Sequence, residues 1–167
     1  MAIFPIRTFP DPVLRSPARA VDEIDGDVRR LVDDMLETMY EAPGVGLAAP
    51  QIGVSLRVVV FDIGEGPHHL VNPEMVETSG SWTFDEGCLS VPDRYWSIKR
   101  AGFARARGFD VDGNQIEYAG EELMGRVLQH ELDHIDGVLL LERLPRRVRK
   151  QALKELREEA LGLEGRR

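Results

Sequence analysis

Apolar residues recur every three or four positions in three stretches of the chain, which is the spacing of a helix that buries one face. These stretches predict helices over residues 25–42, 121–136 and 146–161. Asp25 is a suitable N-cap for the first helix, and Gly137 a suitable residue just past the end of the second. The inward-facing residues predicted for the third helix are Val148, Leu153, Leu156 and Ala160.

Other patterns predict strands. The continuous, β-branched run over 56–62 predicts a buried strand. Two short strands are predicted over 69–73 and 75–78, and further strands over 95–119. Several short strands around one central helix indicate an α+β fold.

The composition is that of an ordinary globular protein. The chain has 167 residues, of which 43% are hydrophobic and 30% charged, so one compact domain over 1–167 is expected. No apolar run approaches the roughly 18 residues that a membrane span needs. The start of the chain lacks the layout of a signal or transit peptide, and the single cysteine excludes an internal disulfide. We therefore expect a cytoplasmic protein.

The charge is unevenly spread. Residues 142–167 hold nine Lys or Arg and five Glu, which gives them a net charge of +4. The whole chain has a net charge of −8, so the other 141 residues carry −12. An acidic body with a basic C-terminal segment indicates an anionic partner for that segment. From the charge alone, a solvated helix face is the simpler explanation.

The second predicted helix contains Gln129-His130-Glu131-Leu132-Asp133-His134, an H-E-x-x-H pattern. Residues four apart share a helix face, so His130 and His134 can both reach one metal ion. Glu131 is placed to contact a metal-bound water without binding the metal itself. The alternative is a surface helix with two solvated histidines, but the neighbouring leucines and valine indicate a buried helix.

Two histidines do not complete a metal site, and no histidine follows His134. Glu142 is one candidate for the third ligand, although an apolar run separates it from the motif. Cys88 is the better soft ligand, and its alternative role is that of a small buried hydrophobe. The glycines of 44–49 fit a loose dinucleotide fingerprint, but a helix precedes them where a strand is needed. We expect a loop and short strand there, whose backbone approaches another group closely. From local features alone, a plain structural turn is an equally good explanation.

Three segments together resemble the signature motifs of peptide deformylases. They are Gly44-Val45-Gly46-Leu47-Ala48-Ala49-Pro50-Gln51, Glu86-Gly87-Cys88-Leu89-Ser90 and the H-E-x-x-H segment. The resemblance covers essentially the whole chain, and it implies short, mostly antiparallel strands around a central metal-binding helix. It also implies hydrolysis of the formyl group from the N-terminal formyl-methionine of new polypeptides, with release of formate, in a bacterium.

The resemblance implies a role for each motif residue. Cys88, His130 and His134 would bind one divalent ion, most often Fe(II) in this family, with Zn, Ni and Co also suited to these ligands. The ion would lower the pKa of a bound water, and the resulting hydroxide would attack the formyl carbon. Glu131 would accept the proton and deliver one to the leaving amine. The Gln51 side chain and the Leu89 backbone N–H would stabilise the oxyanion.

The same resemblance predicts how partners bind. The peptide would add as a strand beside Gly46, and its methionine would enter a pocket. The residues expected to line that pocket are Val45, Glu86, Arg126 and Val127, with Tyr95 and Trp96 at the rim. Arg100 and Asp133 either orient Glu86 or form an ordinary surface ion pair. The basic helix over 146–162 would dock on the ribosome near the nascent-chain exit; neither a membrane nor DNA is expected as a partner.

Two other functions remain open at this point. A zincin-type endopeptidase would share the H-E-x-x-H chemistry, but it would not need the other two motifs. A non-catalytic, ribosome-associated relative would not need every chemical group of the site, and all of them are present in this chain.

Overall fold

The computed structural model describes residues 2–162, which form three α-helices and seven strands. The helices are α1 (Gly26–Glu41), α2 (Glu122–Ile135) and α3 (Arg146–Ala160). The strands are β1 (Gly46–Ala48), β2 (Val58–Phe61), β3 (His68–Ser79), β4 (Trp82–Cys88), β5 (Val91–Arg100), β6 (Phe103–Phe109) and β7 (Gln115–Glu121). Short 3-10 helices cover Pro12–Arg15, Ala49–Ile52 and Leu140–Arg143.

The strands form two sheets. Five of them lie in the order β1-β2-β3-β6-β7, and β4 pairs with β5 in a separate hairpin. Every pair of neighbouring strands is antiparallel. The predicted α+β class with mostly antiparallel strands is therefore confirmed. Both β1 and β4 have one edge that pairs with no other strand among residues 2–162.

Strand β2 explains how helices α1 and α2 are held against the five-stranded sheet. All four of its residues are fully buried, and they alternate between the two faces of the sheet. Val59 and Phe61 pack in one cluster with the buried face of α2, whereas Val58 and Val60 pack in another with α1. Each such side chain contributes about 1.5–3 kcal/mol to the free energy of folding when it is fully buried. The five-stranded sheet is thus sandwiched between α1 and α2, which fixes α2 beside the edge strand β1.

The predicted helices over 25–42 and 121–136 are confirmed as α1 and α2. The Asp25 carboxylate accepts hydrogen bonds from the first backbone N–H groups of α1, and Gly137 has a φ of +76° just beyond α2. The two short strands predicted over 69–73 and 75–78 are wrong, because β3 is one strand of 12 residues. The pairing of β3 with β6 shifts register near Asn72, whose side chain binds the backbone of Val21 instead.

Helix α3 lies on the 3-10 turn Leu140–Arg143 and its neighbours. It buries Ala152 fully, and Leu153 and Leu156 partly, against Leu140, Leu141 and Leu144. The prediction that Val148 and Ala160 face inward is wrong, since both are exposed. The basic segment continues to Glu164, Arg166 and Arg167, which lie outside the described residues. Within residues 2–162, none of the helices is long and apolar enough to span a membrane.

Candidate active site

The two histidines of α2 converge with a cysteine from β4. His130 Nε2 and His134 Nε2 lie 3.1 Å apart, and Cys88 Sγ lies 3.3 Å from His134 Nε2. Cys88 is the last residue of β4, at a register shift between that strand and β5. In residues 2–162, these three side chains are the one group of three or more His, Cys, Asp or Glu residues that could hold a metal ion, with ligand atoms within 4.8 Å.

The donor atoms fit a divalent metal ion. The Nδ1–H of His130 donates to Glu86 at 2.5 Å, so in the neutral ring Nε2 carries a lone pair and faces the other two donor atoms. A tetrahedral ion at ordinary bond lengths separates such donors by about 3.3–3.6 Å, which is close to the two distances measured from His134 Nε2. A thiolate with two imidazoles suits Fe(II), Zn, Ni or Co. Burial opposes ionisation of the Cys88 thiol, but His134 and His130 outweigh it and hold its pKa well below the usual value.

Glu86 orients His130 and is itself firmly held. Besides the His130 ring, its carboxylate accepts hydrogen bonds from Arg100 at 2.8 and 3.0 Å and from Arg126 at 3.0 Å. Burial raises the pKa of Glu86, but the His130 and Arg100 contacts more than offset this and lower it to about 2. A carboxylate hydrogen-bonded to a ligating imidazole fixes the direction of the ring. Of the two roles left open for Arg100, the structure thus shows contact with Glu86 rather than a surface ion pair.

Glu131 lies beside the cluster of Cys88, His130 and His134. It is 3% exposed, and its Oε2 atom has no hydrogen-bond partner within residues 2–162. Burial raises the pKa of this carboxyl. Gly46 of β1 faces it so closely that a Cβ atom there would lie 2.3 Å from Glu131 Oε1. Glycine at this position therefore leaves room for the carboxylate, and the Gly-rich segment does provide the close backbone approach expected from the sequence.

Gln51 faces the cluster from the 3-10 helix that follows β1. Its Oε1 atom accepts the backbone N–H of Ala48 at 2.9 Å, and its Nε2 atom donates to Ser90 Oγ at 3.1 Å. The same nitrogen lies 3.8 Å from Cys88 Sγ. These contacts fix the side-chain amide with its donor end toward Cys88. Leu89 follows Cys88 in the turn between β4 and β5.

A cleft of about 790 Å³ opens in front of these residues, between the β1 side and the β4–β5 hairpin. The residues predicted for pocket and catalysis that line it are Val45, Gly46, Gln51, Glu86, Leu89, Arg126, Val127 and Glu131. Arg126 lies with its guanidinium carbon 5.3 Å from the Trp82 ring centre and 5.9 Å from that of Phe84. The structure thus brings the predicted residues to one cavity.

Trp96 and the alternative ligand Glu142 are placed differently from the sequence-based expectation. His134 is buried behind the cleft, and its Nε2 atom lies in the cluster with Cys88 and His130. Tyr95 lies at the rim, but Trp96 packs toward α3 and is not part of the cleft wall. Glu142, the alternative third ligand, accepts the backbone N–H of Leu139 instead.

Sequence reasoning missed Ser90 as a partner of Gln51 and Phe84 as part of the wall. Ser90 belongs to the motif over 86–90, so the sequence does offer a reason to expect it in the site. For Phe84 it offers none, because β4 was not predicted as a strand.

Known proteins resemble the chain along nearly its whole length. A family model described as polypeptide deformylase matches residues 3–150. A peptide deformylase of Acidothermus cellulolyticus is 50% identical over 158 residues, which cover 95% of this chain and 88% of that protein. One of Agathobacter rectalis is 51% identical over 144 residues, which cover 86% and 91%.

Solved structures agree with these matches. The crystal structure of a peptide deformylase from Legionella pneumophila has a TM-score of 0.89 and 42% identity, and the match covers 99% of each chain. One from Ehrlichia chaffeensis in complex with actinonin has a TM-score of 0.90 and 34% identity, covering 95% of this chain and 98% of that one. The chain therefore belongs to the peptide deformylase family of metal-dependent hydrolases, which remove the formyl group from the N-terminus of newly synthesised polypeptides.

Proposed function

We propose that Cys88, His130 and His134 hold one divalent metal ion, and that this ion is Fe(II) in the cell, with Zn, Ni or Co able to take its place. The convergence of their three donor atoms within 4.8 Å is the observation that carries this proposal. Such an ion supplies a Lewis acid, which polarises a carbonyl oxygen and makes water a stronger acid. The preference for iron rests on the resemblance to peptide deformylases, since the ligand set suits several metals.

The substrate is a nascent peptide that begins with formyl-methionine. The free edges of β1 and β4 border the cleft, and an extended peptide binds such an edge by backbone hydrogen bonds. The formyl-methionine residue then lies over Gly46, and its side chain enters the part of the cleft lined by Val45, Glu86, Arg126 and Val127. The aliphatic stem of Arg126 provides apolar surface there, because its charged end is turned to Glu86.

Glu131 moves the proton in this reaction. Its carboxylate accepts a proton from the attacking water and delivers one to the amine that leaves. The oxyanion that develops on the formyl carbon accepts hydrogen bonds from Gln51 Nε2 and the Leu89 backbone N–H. A donor of this kind contributes about 2.7–4 kcal/mol to stabilisation of the transition state. The fixed amide orientation of Gln51 supports this role, because its Oε1 atom is held by Ala48.

The identity of the metal is tested by purifying the protein without oxygen and measuring its metal content. Iron in near-stoichiometric amount, with formate release that scales with the iron content, is the expected result. Preparations that hold zinc alone and release formate as fast as an iron-loaded sample would contradict the proposal for Fe(II).

Helix α3 provides a basic surface for docking on the ribosome near the nascent-chain exit. The side chains of Arg146, Arg147, Lys150, Lys154 and Arg157 are exposed on one side of the helix. The glutamates of the opposite side are turned inward, since Glu155 and Glu159 pair with Arg94 of β5. Glu158 lies on the exposed side as well, four residues after Lys154. With five basic residues against this one glutamate, that side is net positive and suits the phosphates of ribosomal RNA. Because a ribosome-bound enzyme works in the cytoplasm, we propose that location for this protein. We also propose that the whole chain, 1–167, forms one catalytic domain.

Ribosome binding is tested by co-sedimentation of a variant with Arg147, Lys150 and Lys154 changed to Gln. Binding should weaken markedly, and binding of the unchanged protein should fall steeply as salt rises. The control changes Arg29, Arg30 and Arg105 to Gln, which removes the same charge from other exposed sites. Equal binding of both variants and the unchanged protein would contradict the proposal.

A further inference from the structure

The hydrogen-bonded chain that starts at His130 does not end at Glu86. Arg100 binds Glu86 through Nε and Nη2, and its Nη1 atom donates to Asp133 Oδ2 at 2.8 Å. The side chain of Arg100 is only 5% exposed, so this contact is shielded from water. Arg100 is therefore shared between two carboxylates, of which one contacts a predicted metal ligand and the other does not.

Arg143 completes this chain at the surface. It lies in the 3-10 helix that precedes α3, and it holds both oxygens of Asp133, with Nη2 at 2.6 Å and Nε at 2.8 Å. Its side chain is 45% exposed, and it lines a second cavity of about 560 Å³. A two-pronged contact of this kind fixes a carboxylate in direction as well as in charge.

The way in which the charges are shared lets the exposed Arg143 influence the buried contact between Arg100 and Glu86. Each carboxylate has two arginine partners: Glu86 has Arg100 and Arg126, and Asp133 has Arg100 and Arg143. Without Arg143, Arg100 is the one remaining cationic partner of Asp133 among residues 2–162. Asp133 then attracts Arg100 more strongly, so the Arg100 guanidinium moves from its present position against Glu86. Glu86 is the group that fixes the His130 ring.

We propose that Arg143 is a positioning residue for the metal site, which acts through Asp133 and Arg100 on Glu86 and so on the direction of His130. This inference rests on the proposed metal-binding role of His130. Removing the direct partner of a ligating histidine typically weakens metal binding by about 10–100-fold. Arg143 stands further from the ligand, so we expect a loss of about three- to tenfold.

The test measures the affinity of the metal-free protein for Co(II) by competition with a chelator, and records the visible spectrum of the bound ion. Arg143→Ala should weaken Co(II) binding by about three- to tenfold and shift the absorption bands, because the spectrum reports ligand geometry. Arg143→Lys keeps the charge but loses the two-pronged contact, so its affinity should lie between those of Arg143→Ala and the unchanged protein.

Arg57→Ala is the matched control. Arg57 lines the same cavity and pairs at 2.8 Å with Asp136, the residue just after α2, but within residues 2–162 no hydrogen bond or ion pair joins Arg57 to Glu86. Its affinity for Co(II) should stay within twofold of the unchanged protein. Unaltered affinity and spectrum in a folded Arg143→Ala protein would overturn the inference, as would an equal loss in Arg57→Ala. An unchanged protein that binds no Co(II) at all would instead refute the proposed metal site, and the inference with it.

Discussion

Replacing Gly46 with alanine tests the placement of Glu131 with a single added methyl group. The new Cβ atom would lie 2.3 Å from Glu131 Oε1 and 3.0 Å from Val127 Cγ2, whereas ordinary contacts begin at 3.4 Å. Since β1 and α2 both pack in the core, the carboxylate must move, by about 1 Å. A misplacement of about 1 Å can cost about 100-fold in rate. We therefore expect kcat for formate release to fall about 100-fold.

The assay is formate release from a formyl-Met tripeptide by the iron-loaded variant, together with its metal content and unfolding temperature. Metal content should not change, because Glu131 supplies no donor atom to the ion. Gly26→Ala is the control, since a Cβ atom there would meet nothing within 4 Å. A Gly46→Ala enzyme with unchanged kcat would refute the reasoning, and a Gly46→Ala protein that loses its metal would show a general distortion of the site instead.

Three further changes have expected outcomes. Gln51→Ala should reduce kcat/KM by about 100–1,000-fold, and should lower the free energy of unfolding by about 1–3 kcal/mol because the Ala48 N–H loses its partner; unchanged turnover would contradict the oxyanion role. Burial lowers the pKa of His69, whose Nε2 accepts the backbone N–H of Val111, so the unfolded chain binds its proton at a higher pH than the folded one. Stability should therefore fall as the pH drops below about 6.5, more steeply than in His69→Gln; parallel pH curves in denaturant unfolding would contradict this. Arg94→Ala removes both ion pairs that tie β5 to α3, so amide hydrogen exchange should accelerate in α3 and stay unchanged in α2; equal protection in α3 would show that these pairs do not hold the helix.

The sequence predicts best where one local pattern decides the structure. The apolar run of β2 is buried on both faces, and the spacing of apolar residues in α2 also sets its histidines on one face. Strand β4 shows why other elements are missed. Of its residues only Glu86 is buried, because that charged side chain faces the Arg100 and Arg126 guanidiniums rather than an apolar core. No hydrophobic pattern marks such a strand.

The residues of the candidate site are likewise predicted where a local pattern specifies them and missed where none does. His130 and His134 are predicted by their spacing. Cys88 lies 46 residues before His134, and the sequence singles it out only as the one cysteine and as part of a recognised motif. The contact of Arg143 with Asp133 depends on the turn that follows α2, which no local pattern specifies. The sequence correctly predicts α3 as a helix, but it wrongly places Val148 on the inner face, because few apolar residues mark that face.

The most direct test of the central claim is formate release from a formyl-Met peptide by protein purified without oxygen and loaded with Fe(II). The account predicts rapid release by the unchanged protein. It also predicts at least about 100-fold slower release by Glu131→Ala, since a positioned acid–base group typically contributes about 100–10,000-fold. The variant should bind as much iron as the unchanged protein. Comparable release by a folded, iron-loaded Glu131→Ala protein would contradict the role of Glu131, and no release by the folded, iron-loaded unchanged protein would contradict the proposed reaction itself.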